Sequence, residues 1–427
     1  MVAYPTADEI RQARDELDQV IAEIQAVPGF ENFLATPTMA DIEEAARDEP
    51  LVYLVAATPG GLALVVRGSD VVHVPLDGMT AEAVAGIVSG FAAAHQPYRA
   101  GQDGSEDRWE ACLDRTTRWL WTEVMGPVAA ELAGRPGAVL VAGGLLGLLP
   151  LHAAWRPDPG APTGRRYLLD DLAVRYIPNA RALTTARSLA TAPADPLMAV
   201  IDPPRADPVG RLARSPVEVA AAVAGFPGSA EPITGPGATA EMVRRALAGA
   251  GTAHFACHGE AELDRPLDSR LKLAGDDDLR LRDLLAMRLR LRLAVLSACE
   301  TLPPGTELPD EVVSLPTGLL QAGVGGVVAS MWAVPDRATA MLMTEFYRGW
   351  RWNGLAPADA LRRAQQWLRD TTNGEKVEEY RRALAEDAGW LPARAADALM
   401  LALQFQDPAA REQDALVAWA GFAYVGA

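Results

Sequence analysis

Short apolar segments that alternate with helical segments constrain the fold of this sequence more than any other feature. Four of them, "PLMAVIDPP", "TAHFAC", "LRLAVLSAC" and "VGGVVASMW", lie between residues 196 and 332, and segments with helical periodicity separate them. Apolar runs of this length that alternate with helices indicate a mostly parallel sheet with helices on its faces. We therefore predict an α/β fold.

The N-terminal part of the chain has a different pattern. Apolar residues at three- and four-residue spacing predict an amphipathic helix, namely Ile10, Ala13, Leu17, Ile21 and Ile24. Three β-rich runs follow, "LVYLVAA", "GLALVVRG" and "DVVHVPL", and the turns between them contain glycine or aspartate. This arrangement predicts a β-hairpin or meander. Further on, "GAVLVAGGLLGLLPLHAAW" predicts two buried strand-like segments around Gly143 and Gly144.

Composition excludes several classes of partner. The chain has 39 basic and 56 acidic residues and a formal net charge of −17, which argues against nucleic acid or an anionic membrane as the main partner. Three cysteines in 427 residues do not form a disulfide framework, so we expect a reducing cytoplasm. The N-terminus is too polar and acidic for a signal peptide, and no apolar run approaches the roughly 18 residues that span a bilayer.

Two of the predicted strands end in reactive residues. "TAHFAC" stops at His258 and Gly259, and "LRLAVLSAC" stops at Cys299. If the two strands are neighbours, their carboxyl ends bring an imidazole and a thiol together, as a cysteine nucleophile requires. His258 would take the thiol proton, and the backbone N–H groups of Gly259 and Cys299 would form an oxyanion hole.

Each of these residues also has a simpler interpretation. A cysteine at a strand end is often only a small buried hydrophobe. If the strand continues to residue 257, His254 and His258 lie on one face, with His254 deeper in the core and His258 at the exposed edge. A zinc site is a weaker hypothesis, because the segment predicts a strand and no further ligands have suitable spacing. We expect no metal and no organic cofactor.

Several segments in order resemble the CHAT family of caspase-like domains, which are related to caspases and separase. The resemblance lies in "VLVAGGLLGLLPLHAAW", "YLLDDLAVRYIPNARAL", "HFACHG", "LAVLSACET", "GLLQAGVGGVVASMWAVPDRATAMLMTEFYRGW" and "WAGFAYVG". It covers roughly residues 110–427 and extends more loosely to about residue 10. Because any one motif is weak, the order of several carries the resemblance.

The resemblance implies a caspase-like fold and cysteine endopeptidase chemistry. His258 matches the family's catalytic histidine, Cys299 its nucleophile, and Gly259 with the Cys299 backbone its oxyanion donors. In separase-like relatives, an aspartate at the position of Asp336 contacts a basic P1 side chain. Asp336 would also serve as an N-cap of the helix that begins there. We expect Trp332 beside the pocket, mainly as a packing residue and secondarily as a wall that contacts substrate.

The resemblance also suggests a domain organisation. We expect an N-terminal helix and a β-rich lead-in over residues 1–105, and a CHAT domain over residues 106–427 whose catalytic part is about 195–427. Tetratricopeptide repeats often precede such domains, and only the first helix resembles a remnant of them. Either a separate partner chain or a truncated gene start would explain why a repeat array is not recognised in this sequence. We expect any regulatory protein partner to be supplied by another chain.

The sequence thus predicts a cytoplasmic cysteine peptidase that acts on a protein or peptide. The segment after Cys299, "TLPPGTELPDEVVS", is either a loop over the site or an ordinary surface connection. The competing class is a signalling module that keeps the fold and binds protein partners with an idle Cys-His pair. A transferase that uses the same thiolate is a third hypothesis, for which we find no acyl-donor motif.

Overall fold

The fold is organised around a large twisted sheet. The computed structural model describes residues 7–28, 38–205, 210–262, 265–297 and 314–427. The strands within these ranges are β1 (Leu51–Ala57), β2 (Gly60–Arg67), β3 (Asp70–Leu76), β4 (Gly137–Ala142), β5 (Trp155–Pro157), β6 (Arg165–Tyr167), β7 (Ala173–Tyr176), β8 (Leu197–Ile201), β9 (Ile233–Thr234), β10 (Thr252–Ala256), β11 (His258–Glu260), β12 (Arg270–Lys272), β13 (Asp278–Arg280), β14 (Leu293–Leu296), β15 (Gly326–Ser330) and β16 (Phe422–Gly426).

Helices cover this sheet. Within the described ranges they are α1 (Ala7–Gln25), α2 (Met39–Ala45), α3 (Ala81–Arg99), α4 (Ser105–Leu120), α5 (Gly126–Glu131), α6 (Leu168–Asp171), α7 (Ala180–Ala190), α8 (Ser215–Ala224), α9 (Ala240–Leu247), α10 (Leu281–Leu285), α11 (Leu315–Ala322), α12 (Asp336–Tyr347), α13 (Pro357–Asp370), α14 (Asn373–Ala385), α15 (Ala393–Leu403) and α16 (Leu416–Trp419). None of these helices combines the length and the hydropathy needed to cross a bilayer.

The strand order confirms the predicted fold class. Eleven described strands form one sheet in the order β3-β2-β1-β4-β7-β16-β15-β14-β10-β8-β9. Antiparallel pairing is confined to β1 with β2, β2 with β3, and β15 with β16, and the other neighbours are parallel. The predicted strands β8, β10, β14 and β15 therefore lie side by side, with their carboxyl ends at one edge of the sheet.

The lead-in strands belong to the same sheet. The predicted meander is confirmed as β1, β2 and β3, and β1 pairs in parallel with β4, with Leu51 opposite Val139. Residues on both sides of the expected boundary near residue 105 therefore share one layer of strands. The predicted N-terminal amphipathic helix is confirmed as α1, and its Leu17 and Val20 are 55% and 50% exposed.

One strand prediction is wrong. The segment after Gly143 forms two short 3₁₀ turns, Gly144–Leu148 and Leu151–Ala153, where we expected a second strand. Gly144 has a φ of 59°, a left-handed conformation that ends the extended backbone. The apolar pattern nevertheless marks burial correctly, because Leu146 and Leu151 are fully buried.

An aromatic cluster joins the N-terminal helices to the sheet. Trp109 of α4 packs against Phe91 of α3 and against Trp332, with ring centroids 4.6 and 5.7 Å apart. Tyr98 of α3 donates a hydrogen bond of 2.6 Å from its hydroxyl to the carbonyl of Ala333. The lead-in part of the chain therefore supports the segment that follows β15.

Candidate active site

His258 lies at the carboxyl edge of the sheet, as the sequence predicts. It begins β11, which pairs antiparallel with β12 so that His258 stands opposite Lys272. The condition under which His254 and His258 would share one face of a strand is not met, because β10 ends at Ala256. His258 and His254 therefore belong to different sheets, although His254 is fully buried as expected.

The imidazole of His258 has a defined partner. Its Nε2 lies 2.6 Å from the backbone carbonyl oxygen of Gly210. Since a carbonyl oxygen can only accept, Nε2 carries the proton, and in the neutral ring Nδ1 then has the lone pair. The ring is thus held in the tautomer in which Nδ1 can act as a base.

Charged residues surround the hairpin that carries His258. Glu260 accepts a hydrogen bond of 2.7 Å from Arg270 and lies 3.2 Å from the ammonium group of Lys272. Burial alone would raise the pKa of Glu260, but Lys272 and Arg270 hold that pKa below its ordinary value. Arg99 of α3 lies 3.9 Å from the same carboxylate. These ionic contacts tie β11 to β12 and to the lead-in part of the chain.

Asp336 lies close to His258 at this edge. It is the first residue of α12, and its Oδ2 accepts a hydrogen bond of 2.9 Å from the backbone N–H of Arg214. The N-cap residue of α12 is Pro335, so the alternative prediction that Asp336 is the N-cap is wrong. Burial raises the pKa of Asp336 and Asp202 adds to the shift, whereas Arg214 and His258 oppose it.

The segment 210–214 contacts the end of β8, the start of β11 and the start of α12. In addition to the contacts of Gly210 and Arg214, the Nε of Arg211 lies 2.6 Å from the carboxylate of Asp202. Asp202 follows β8 directly, and its φ of 29° lies in a left-handed region that aspartate tolerates better than most residues. This segment therefore holds the ends of β8, β11 and the loop after β15 in one arrangement.

Asp336 lines a small cavity. This cavity has a volume of about 20 Å³, room for one water-sized molecule. Its polar lining consists of Glu218, Ser297, Ser330, Asp336 and Thr339. Leu212 and Val334 are among its apolar neighbours. Two carboxyl-bearing and three hydroxyl-bearing side chains therefore share this lining with apolar residues, and the carboxylates could pair with a cationic group.

Glu218 joins a buried polar chain beside the cavity. Ser297 donates a hydrogen bond of 2.8 Å from its hydroxyl to Oε2 of Glu218. Oε1 of Glu218 lies 3.9 Å from Nε2 of His254, whose Nδ1 lies 2.7 Å from the hydroxyl of Tyr347. Burial raises the pKa of Tyr347 well above its ordinary value. Tyr347 therefore keeps its proton, and its hydroxyl can either donate to Nδ1 or accept from an Nδ1–H group.

The remaining predicted residues have different surroundings. Trp332 is fully buried and donates a hydrogen bond of 3.0 Å to the carbonyl of Val417, and it is not among the described residues that line the cavity. Gly259 is half-buried in β11. Cys299 and the segment that follows it up to residue 313 lie outside the described residues.

Two cysteines and one further histidine are packing residues. Cys112 and Cys257 are buried. His152 is also buried: its Nδ1 lies 2.9 Å from the hydroxyl of Tyr176 and its Nε2 2.9 Å from the carbonyl of Ala420. Burial lowers the pKa of His152 to about 4. Within the described ranges, no group of three or more metal-ligating side chains comes together.

Two acidic residues of this region escaped the sequence analysis. Asp202 follows an apolar strand directly, which is the same signal that identified His258. Glu218 is the only charged residue in "SPVEVAAAVAGF", and a lone carboxylate in an apolar helix indicates a buried polar contact. The carbonyl of Gly210 has no sequence signal, because any residue supplies one.

Comparison with known proteins agrees with this architecture. The chain is similar to separase in the Saccharomyces cerevisiae separase–securin complex, with a TM-score of 0.55 and 10% identity over 96% of this chain and 33% of that chain. It therefore spans only about a third of that separase chain. At such low identity the likeness shows the fold alone.

More distant structures and a family model complete the comparison. The Arg-specific cysteine proteinase gingipain R gives a TM-score of 0.41 and 8% identity over 71% of this chain and 67% of that chain. A complex of the Porphyromonas gingivalis RgpB pro- and mature domains gives 0.36 and 10% identity, over 81% and 75% of the respective chains. No curated protein sequence matches significantly. The model of the CHAT domain matches residues 114–427, which confirms the resemblance seen in the sequence, and the chain belongs to the CHAT domain family.

Proposed function

We propose that this chain is a cysteine endopeptidase in which Cys299 is the nucleophile and His258 the base. The observation that carries the proposal is the register of β10 and β14. Phe255 pairs with Leu296, and His258 and Cys299 each follow their paired residue by three positions. Adjacent parallel strands with equal extensions favour proximity of the imidazole and the thiol.

The proposed mechanism follows from the tautomer of His258. Nδ1 accepts the thiol proton while Nε2–H remains bonded to the carbonyl of Gly210. The thiolate attacks the substrate carbonyl carbon, and the oxyanion receives hydrogen bonds from the N–H groups of Gly259 and Cys299. The imidazolium then donates its proton to the leaving amine, and water hydrolyses the thioester. These steps require no metal or organic cofactor.

We propose a basic P1 residue for the substrate. Asp336 lies at the rim of the cavity, its side chain is 30% exposed, and its carboxylate can pair with a cation that enters from solvent. Fully buried Trp332 precedes Asp336 in the same connection and packs against Phe91 and Trp109. The contacts of Asp336 with Arg214 are compatible with this role, because the backbone N–H at 2.9 Å and the guanidinium at 4.0 Å both approach Oδ2.

A protein partner is part of the proposal. The separase of the similar structure was solved with securin, and α1 exposes apolar residues such as Leu17 that an isolated helix cannot bury. We propose that a partner from another chain contacts this helix in a reducing cytoplasm. The domain boundary near residue 105 also remains a proposal.

A positional-scanning peptide library tests the function. The wild type is expected to cleave after basic residues, and Cys299→Ala and His258→Ala are expected to abolish cleavage. Cys257→Ala is the matched control, because this buried cysteine lies next to His258 in the chain. Wild-type inactivity on every peptide and with every partner tried would contradict the proposal and favour a partner-binding module.

A further inference from the structure

A second carboxyl group lies deeper than Asp336 along the same cavity. Glu218 of α8 lines the cavity, and its side chain is 4% exposed, whereas that of Asp336 is 30% exposed. The two carboxyl groups therefore differ in depth, with Asp336 at the rim and Glu218 at the floor. Ser330 and Thr339 contribute polar surface to the lining.

The described contacts of Glu218 leave it without a strong cation. Ser297 gives it one neutral hydrogen bond, and the nearest basic nitrogen is Nε2 of His254, at 3.9 Å. That nitrogen itself has no hydrogen-bond partner among the described residues. A buried carboxylate is costly unless a charged partner or several hydrogen bonds compensate it. A cationic ligand in the cavity would supply what these contacts lack.

We infer that Glu218 is the inner carboxylate of the P1 pocket and makes this pocket prefer arginine to lysine. The inference rests on the proposed peptidase function. A guanidinium has five N–H donors in a planar fork, so one group can bond to both Glu218 and Asp336. An ammonium is a compact, strongly hydrated point charge with three donors, and leaving water for a buried site costs it more.

Entry of the guanidinium requires a local movement. The cavity of about 20 Å³ holds only a water-sized molecule, and Leu212 lines it. Leu212 belongs to the segment 210–214, whose Arg214 contacts Asp336. Displacement of the Leu212 side chain enlarges the cavity without breaking the bond between Gly210 and His258.

Glu218→Gln tests the role of the inner carboxylate. The amide oxygen of glutamine still accepts a hydrogen bond from Ser297, so the variant removes charge while the shape is kept. We compare kcat/KM for peptides that differ only in arginine, lysine or norleucine at P1. The arginine-to-norleucine ratio is expected to fall about 10- to 100-fold, and the lysine-to-norleucine ratio by less than about 5-fold.

Glu345→Gln is the matched control. Glu345 of α12 is also buried, but it pairs with Arg348 and does not line the cavity. This variant is expected to keep both ratios at the wild-type values. An equal loss for all three peptides in Glu218→Gln, or an unchanged arginine ratio, would overturn the inference and leave the peptidase function intact.

A binding measurement separates the inference from the proposed function. Acetyl-arginine amide and acetyl-lysine amide are titrated into Cys299→Ala and into Cys299→Ala with Glu218→Gln. Tighter binding of the arginine compound that depends on Glu218 supports the inference even if no peptide is cleaved. Equal affinities for the two compounds, or an affinity for the arginine compound that Glu218→Gln leaves unchanged, would contradict it.

Discussion

Replacement of Asp336 by asparagine isolates its charge from its structural contact. The amide oxygen can accept the hydrogen bond from the backbone N–H of Arg214, so the start of α12 keeps its link to α8. What disappears is the negative charge at the rim of the cavity. A substrate cation would then lose its ionic partner at position 336, where the aspartate side chain is 30% exposed.

The partial exposure of Asp336 determines how strongly its charge attracts a substrate cation. Two unit charges 4 Å apart attract by about 4 kcal/mol at the effective dielectric of 20 typical of protein surfaces. Desolvation offsets part of this, and hydrogen bonds to charged groups contribute about 1.5–3 kcal/mol net. A loss of about 2 kcal/mol corresponds to a roughly 30-fold fall in kcat/KM. Because the rim carboxylate meets any cation, arginine and lysine peptides should both lose about this much relative to norleucine.

The assay is steady-state hydrolysis of matched peptides across pH. Burial raises the pKa of Asp336, so protonation should weaken cleavage after basic residues at a higher pH than for an ordinary aspartate. Asp336→Asn should lack this acid limb. Unchanged selectivity for basic residues in the variant, together with an unchanged acid limb, would refute the assignment and leave Asp336 a structural residue.

Three further predictions concern stability. His152 has a pKa of about 4 in the folded chain and near 6.5 in the unfolded chain. Between these values the unfolded chain binds more protons, so the free energy of unfolding should fall by about 3 kcal/mol as the pH drops from 6.5 to 4. Chemical denaturation should show a smaller fall in His152→Gln. Tyr98→Phe removes the bond to Ala333 and should lower the free energy of unfolding by about 1 kcal/mol. Arg369→Met removes a buried guanidinium that pairs with half-buried Asp170 and with Asp370, and it should cost about 3 kcal/mol, seen as a lower urea midpoint.

Local patterns predict well the half of the sheet that ends near His258. The apolar runs around Val200, Phe255, Val295 and Val328 are confirmed as neighbouring strands, because strands buried on both faces need continuous hydrophobic sequence. Because functional residues tend to follow the carboxyl ends of parallel strands, the sequence also places His258 at the correct edge of the sheet. It also applies to Asp202, which the sequence analysis overlooked.

Long-range pairing explains what the sequence could not predict. The antiparallel strand β16 begins at Phe422 and lies between β15 and β7, although β15 already ends at Ser330. Nothing in "WAGFAYVG" specifies these partners. Similarly, the position of Glu218 beside Ser297 depends on how α8 packs on the sheet, and the contact of Gly210 with His258 depends on backbone path rather than side-chain type.

The central claim is that His258 activates Cys299. The most direct measurement is the rate at which iodoacetamide alkylates Cys299 at pH 7, followed by peptide mass spectrometry in the wild type and in His258→Ala. Buried Cys112 serves as an internal reference. The account predicts that alkylation of Cys299 is at least about tenfold slower in the variant, because the thiolate loses its proton acceptor. Equal rates in the two proteins would contradict it.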